Sequence, residues 1–199
     1  MKQLLLLTTI ALFSLSAFSQ LNKNQLLVGG NISFSSATYG DEDTYKSKSE
    51  TLQLSPGVGY FLFDKLAVGT KTEFSFNNST VYYEDVLKSR SNSITLSPFV
   101  RYYILPKDKK LNVFAEVDYS YVHTTQRLLN AGYESKLKGN GYTVLGGPVY
   151  FINPYIALEL TLSYNSLKYS SDTYRTNTFM TGLGFQIHLG NKKNKSWLL

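Results

Sequence analysis

His123 and His188 are the only histidines in this chain of 199 residues, and it contains no cysteine. That inventory excludes disulfides, thiolate metal sites, a cysteine nucleophile and a lipid anchor on cysteine, and it leaves too few imidazoles for a histidine-built zinc centre. His123 is followed by Thr124 and Thr125, and no Ser/Asp constellation converges on it, so it reads as a polar residue near a loop rather than a general base. His188 reads as part of a polar filling. The remaining chemistry lies in the carboxylates Glu73, Glu116, Asp118 and Glu159 with the cations Lys71 and Arg101. Paired carboxylates can divide acid and base roles, but only where substrate reaches them. The glycine-rich stretch 139–147 precedes no helical pattern and cannot form a phosphate loop. The expectation is therefore no catalytic residue, no cofactor and no metal.

The elements that carry these groups alternate with a period of two. From Leu66 onward, Leu66, Val68, Thr70, Thr72, Phe74 and Phe76 share one face, while Ala67, Gly69, Lys71, Glu73, Ser75 and Asn77 share the other. The stretches beginning at Leu111 and Ile156 repeat the division. Such alternation specifies strands with one apolar face. Eight segments follow it, near 25–38, 49–63, 66–83, 91–105, 111–126, 140–152, 155–169 and 176–190. Asp64-Lys65, Pro106 to Lys110 and Asn153-Pro154 make short connections. The polar segments near 39–48, 84–90, 127–139 and 170–175 are expected to be long loops at the opposite end.

An even number of strands with short and long connections alternating predicts an all-β, eight-stranded antiparallel up-and-down transmembrane β-barrel. Size decides which face is inside. A lumen of eight strands is just wide enough for side chains, so small and charged residues fit within it and the bulky apolar face must point to lipid. A soluble, lipocalin-like barrel would need the reverse.

The interior polar cluster is then Lys71, Glu73, Arg101, Glu116, Asp118 and Glu159. Counted from the short turns, Lys71, Arg101, Glu116 and Glu159 stand at similar heights, with Glu73 and Asp118 one inward position higher. Two cations face four carboxylates and must neutralise much of their charge, because an unpaired buried charge costs several kcal/mol. Aromatic girdles are expected at the two membrane interfaces, Tyr60, Tyr102, Tyr103, Tyr150 and Tyr155 toward the short turns, and Phe76, Tyr82, Tyr83, Tyr119, Tyr121, Tyr164 and Tyr169 toward the loops. Pro56, Pro98 and Pro148 face lipid and cannot donate a ladder hydrogen bond, so each should mark a bulge or a local gap.

Three segments repeat a proline followed by aromatics ahead of a short turn: LSPGVGYFLFDKLAVG (54–69), LSPFVRYYILPKDKKLNVFAE (96–116) and LGGPVYFINPYIALE (145–159). With these, the chain resembles the outer membrane protein β-barrel domain family, the small OmpA/OmpX-like eight-stranded barrels of Gram-negative bacteria. The resemblance spans 20–190. It implies outer-membrane lipid as surroundings and the barrel assembly machinery as a partner during insertion. Gly182, Phe185 and Ile187 match the recognition signal of similar barrels, although Met180 stands where a polar residue is usual.

Lys2 and the apolar run from Leu4 to Phe18 read as a signal peptide, residues 1–19, with Ala17 and Ser19 placing cleavage before Gln20. Residues 191–199 form a short basic tail. The formal charge is +6. Lys65, Lys107, Lys109, Lys110, Lys192, Lys193 and Lys195 gather at the short-turn end, so the basic balance reads as a periplasmic fringe and not as a nucleic-acid surface. The expected protein is an exported monomer in the cell outer membrane, not an enzyme, with a plugged polar interior, long extracellular loops and an unknown loop ligand. Its rivals are a rim-active acyltransferase or protease built on His123, and a narrow pore.

Overall fold

The computed structural model describes residues 21–41, 45–82, 86–130 and 132–190. All regular structure among them is strand: β1 Leu26–Asp41, β2 Tyr45–Phe63, β3 Leu66–Tyr82, β4 Val86–Tyr103, β5 Leu111–Leu128, β6 Tyr133–Phe151, β7 Ile156–Tyr169 and β8 Thr176–Leu189. Each strand pairs antiparallel with its neighbours in sequence order, and β8 returns to β1 to close the barrel. The alternation read from the sequence is the alternation of the wall. Along β5, exposed Leu111, Val117, Tyr119 and Tyr121 interleave with buried Asn112, Phe114, Glu116, Asp118 and Ser120. Most apolar residues face outward, as the narrow lumen requires, and those that turn inward gather mainly at the short-turn end.

The expected long loops are mostly not loops. Pairing continues to Asp41 opposite Tyr45, to Tyr82 opposite Val86 and to Leu128 opposite Tyr133. Only 170–175 keeps the loop character anticipated for it. In these upper hairpins both faces meet water, so the apolar alternation that marks a strand is lost, while Ser, Thr and Tyr sustain extended backbone. Acidic Glu42 and Asp43, Tyr83, residues 1–19 expected to be a signal peptide, and residues 191–199 lie outside the described residues.

Closure is uneven along its height. β1 and β8 pair from Leu26 opposite Leu189 up to Ile32 opposite Leu183, and no further. Above that level β1 is held by β2 and β8 by β7.

The three prolines produce gaps and no bulge. On the β2–β3, β4–β5 and β6–β7 flanks the ladder skips Pro56, Pro98 and Pro148, each with its preceding residue, and resumes in the same register. On their other flanks Pro56, Pro98 and Pro148 are paired. The missing N–H thus removes one rung without bending the wall out of register. The wall's register shift lies instead between Phe61 and Phe63, beside the turn in which Lys65 adopts a left-handed φ of 70°.

Candidate functional site

The lumen has three layers. At the short-turn end, the inward positions of β2, β4, β5, β6 and β8 carry Phe61, Tyr103, Phe114, Phe151 and His188, all buried. Phe61 stacks on Tyr103 with centroids 5.9 Å apart, and the His188 ring lies 5.2 Å from Phe151 and 5.7 Å from Phe61. Leu21, fully buried, seals them from below. The segment carrying it is held against the turn between β2 and β3: the Lys65 N–H donates to the Leu21 carbonyl and the Asn24 N–H to the Phe61 carbonyl. Asn24 takes a left-handed φ of 68°, which an asparagine tolerates, so that the chain can turn up into β1. Burying such rings away from water contributes roughly 1.5–3 kcal/mol each. His188 therefore belongs to an aromatic packing rather than to the polar filling expected of it.

The second layer is ionic. Arg101 donates from Nε to Glu116 at 2.5 Å and from Nη1 to Glu159 at 2.7 Å. Lys71 donates to the other oxygen of Glu116 at 2.5 Å and to Asp118 at 2.9 Å. Glu116 thus bridges both cations, which its position opposite Arg101 in the β4–β5 register makes possible. Glu159 also accepts from Gln186, and Glu73 from Ser55. The guanidinium of Arg101 rests 4.2 Å from the Phe114 ring centroid, joining the ionic layer to the aromatic one. Phe99 reaches along the inner wall over β3 toward β2, and the Lys71 ammonium lies 5.7 Å from its ring. Gly59 and Gly69, opposite one another in register, make that reach possible: a β-carbon on Gly69 would stand 2.6 Å from the tip of the Phe99 ring.

The third layer is a cavity of about 250 Å³ above these charges. Lys71, Glu73 and Asp118 line its lower part and hydroxyls line its sides. Ser97 and Ser120 share a hydrogen bond of 2.9 Å, Ser93 and Thr124 one of 2.7 Å, and Thr124 meets the Tyr169 hydroxyl at 3.1 Å. Its lining reaches up to Leu167 and Tyr169 near the end of β7. Among the described residues no group of three His, Asp or Glu side chains could hold a metal ion.

All six residues of the sequence-derived interior cluster converge in the lumen, five of them in one ion-pair network and Glu73 beside it. Tyr60, Tyr102, Tyr150 and Tyr155 stand exposed on the outer wall toward the short turns, and Phe76, Tyr119 and Tyr121 do so higher up. Tyr164 packs against Phe179 with centroids 5.0 Å apart. His123 points outward, opposite Ile94 and Lys138, away from the lumen. The aromatic layer was missed by sequence reasoning, which set Tyr103 in the lower girdle and Tyr169 in the upper one; the structure turns Tyr103 into the lumen and places Tyr169 on the cavity lining. The layer's signal was parity: Phe61, Tyr103 and Phe151 each sit one inward position from a short turn.

The outer face of the short-turn rim is polar. Lys107 donates to Asp64 at 2.6 Å and the Lys23 N–H donates to the same carboxylate at 2.8 Å. The Lys107 ammonium, and then the Lys23 amide, hold the Asp64 carboxyl below its ordinary range.

The family model for the outer membrane protein beta-barrel domain matches residues 5–186. The chain belongs to that family. This outer membrane barrel is similar in structure to outer membrane protein OprG from Pseudomonas aeruginosa, with a TM-score of 0.58 at 12% identity, covering 87% of this chain and 99% of that one. Neisserial surface protein A matches at a TM-score of 0.48 and 18% identity over 82% of this chain and 94% of its own. The N-terminal barrel domain of Pseudomonas aeruginosa OprF matches at 0.44 and 14% over 84% and 98%. No curated protein matches the sequence.

Proposed function

We propose that this outer membrane barrel is a non-conducting wall element with a structural or surface-interaction role, presenting its upper hairpins outside the cell. One observation carries the reading. Beneath the cavity, Arg101, Glu116 and Glu159 of the ionic layer and the aromatic layer with Leu21 are all buried, and the void beside Arg101 and Glu116 is about 10 Å³. A solute crossing the lumen would have to displace both layers, and leaving those carboxylates without Arg101 is strongly unfavourable. No catalytic role is assigned, since His123 faces away from the lumen and stands opposite a lysine.

In the same reading the chain is exported through residues 1–19, cleaved before Gln20, and inserted by the barrel assembly machinery acting on the last strand. There Phe185 and Ile187 lie on the outer face and Gly182 on the inner one. It then stands as a monomer in lipid. The Tyr60 and Tyr119 levels mark the two membrane interfaces. The test is electrical. Protein refolded into a planar bilayer should stay silent, and steady single-channel openings from the full chain would replace this reading with the narrow pore.

A further inference from the structure

The outer wall changes character at one level around the barrel. Outward residues run apolar up to Phe34 on β1, Leu52 on β2, Phe76 on β3, Ile94 on β4, Tyr121 on β5, Tyr142 on β6, Tyr164 on β7 and Phe179 on β8, and turn polar at the next outward position. These positions lie within one register step of one another across each pair, as Leu52 opposite Phe76 and Tyr164 opposite Phe179 show. They trace the upper edge of the lipid-facing band.

Just above that edge the polar surface is lopsided. On β4 to β7 the outward positions carry Lys88, Arg90, Arg127, Lys136, Lys138 and Lys168, all exposed, against Glu134 as the one outward carboxylate on those strands among the described residues. Glu134 is taken by Arg127 at 2.7 Å. The register sets Arg90 directly opposite Arg127. Like charges facing across a ladder destabilise a hairpin. On the other side of the barrel the same levels of β8 and β1 hold Asn177, Ser36 and Thr38, without a charge, and Lys48 on β2 is matched by Glu50 at 2.7 Å.

Two residues of strand rise about 6.6 Å, so the first outward positions above the band, at a barrel tilt near 45°, stand roughly 5 Å higher. That is headgroup depth, and the cations above it remain within a Debye length of about 8–10 Å. We propose that this wall of β4 to β7 is a docking surface for the phosphorylated headgroups of outer-leaflet glycolipid. Charge complementarity and continuity with the lipid-facing band argue for a lipid-borne phosphate, because the acyl chains of the same molecule would lie on Ile94, Tyr121, Val144 and Leu162 directly below. Two cations on β4, two on β6 and one each on β5 and β7 give phosphates donors at different heights. The inference rests on the outer-membrane reading and names a partner class for its surface role.

The test uses the full chain refolded in detergent, with binding of diphosphoryl lipid A followed by native mass spectrometry. Dephosphorylated lipid A and a soluble polyphosphate serve as comparison ligands. Diphosphoryl lipid A should bind at least tenfold more tightly than the dephosphorylated form, and weaken as salt rises. The triple variant Lys136→Gln/Lys138→Gln/Lys168→Gln should lose at least tenfold, whereas Lys107→Gln/Lys109→Gln/Lys110→Gln at the other rim should bind as the parent does. Equal binding of the two lipid forms, an unaffected collar variant, or equal loss in both variants would overturn the proposal. Full competition by soluble polyphosphate would overturn it too, by making the wall a general polyanion surface. Should the collar variant fail to fold, the lipid comparison and salt series on the parent chain still decide. Loss of the heat-modifiable gel band in the parent would instead indict the barrel reading beneath it.

Discussion

The lower and upper halves of this barrel are built from the same hairpins and the same parity, yet they are stabilised differently. Below Lys71 the lumen is closed by rings and by two cations shared among carboxylates, and the wall is paired all the way round. Above it the interior holds hydroxyls around a cavity, the β1–β8 seam is unpaired beyond Ile32 and Leu183, and the outer surface turns polar beyond the level of Phe76. The contrast teaches that inward position alone does not make a core. What decides is whether the surrounding lumen excludes water, since only then does losing a partner strand a charge or open a void.

Arg101→Met should therefore be the most damaging single change in the lower half, costing about 3–5 kcal/mol by leaving Glu116 and Glu159 short of a partner. Urea unfolding in lipid vesicles measures it. Adding Glu116→Gln and Glu159→Gln to that variant should recover most of the loss, and no recovery would mean that packing, and not charge, makes the arginine costly. Phe61→Ala should cost about 3 kcal/mol, the low end for a buried phenylalanine, because Leu21 and Tyr103 can partly relax into the space. If the same assay shows under 1 kcal/mol, the aromatic layer is not a packed core. In the upper half, Thr124→Val removes the bonds to Ser93 and Tyr169 but leaves water as a substitute, so about 1 kcal/mol is expected. A loss as large as that of Arg101 would erase the distinction between the halves.

The smallest effect belongs to the exposed short-turn rim. Asp64→Asn should cost less than about 1 kcal/mol, since an exposed pair is screened. Its sign with pH is defined. Because Lys107 lowers the folded carboxyl below its unfolded value, the contribution is complete at neutral pH and disappears as acidification passes through the lowered folded value. Parent and variant should then converge in acid unfolding curves, and a gap that widens as pH falls would reverse the assignment.

Much of this was legible beforehand, for a reason visible in single strands. The run from Leu66 to Phe76 separates its faces cleanly because one meets lipid and the other a narrow polar lumen, and the two solvents select opposite residues. Lys71, Glu73, Arg101, Glu116, Asp118 and Glu159 could be placed together for the same reason, by counting from the short turns. The upper hairpins were hidden because water bathes both of their faces. There, Tyr133 to Lys138 reads as a loop by composition and pairs as a strand only because β5 continues beside it.

The sequence by itself determined the barrel, its strand count, its inside and its outside, because a period of two between unlike solvents is a local property of each strand. Tertiary structure decided who touches whom. That Glu116 serves both Lys71 and Arg101, that Leu21 closes the base, and that cations of four strands stand side by side above the apolar band all depend on register between strands, which no single strand encodes.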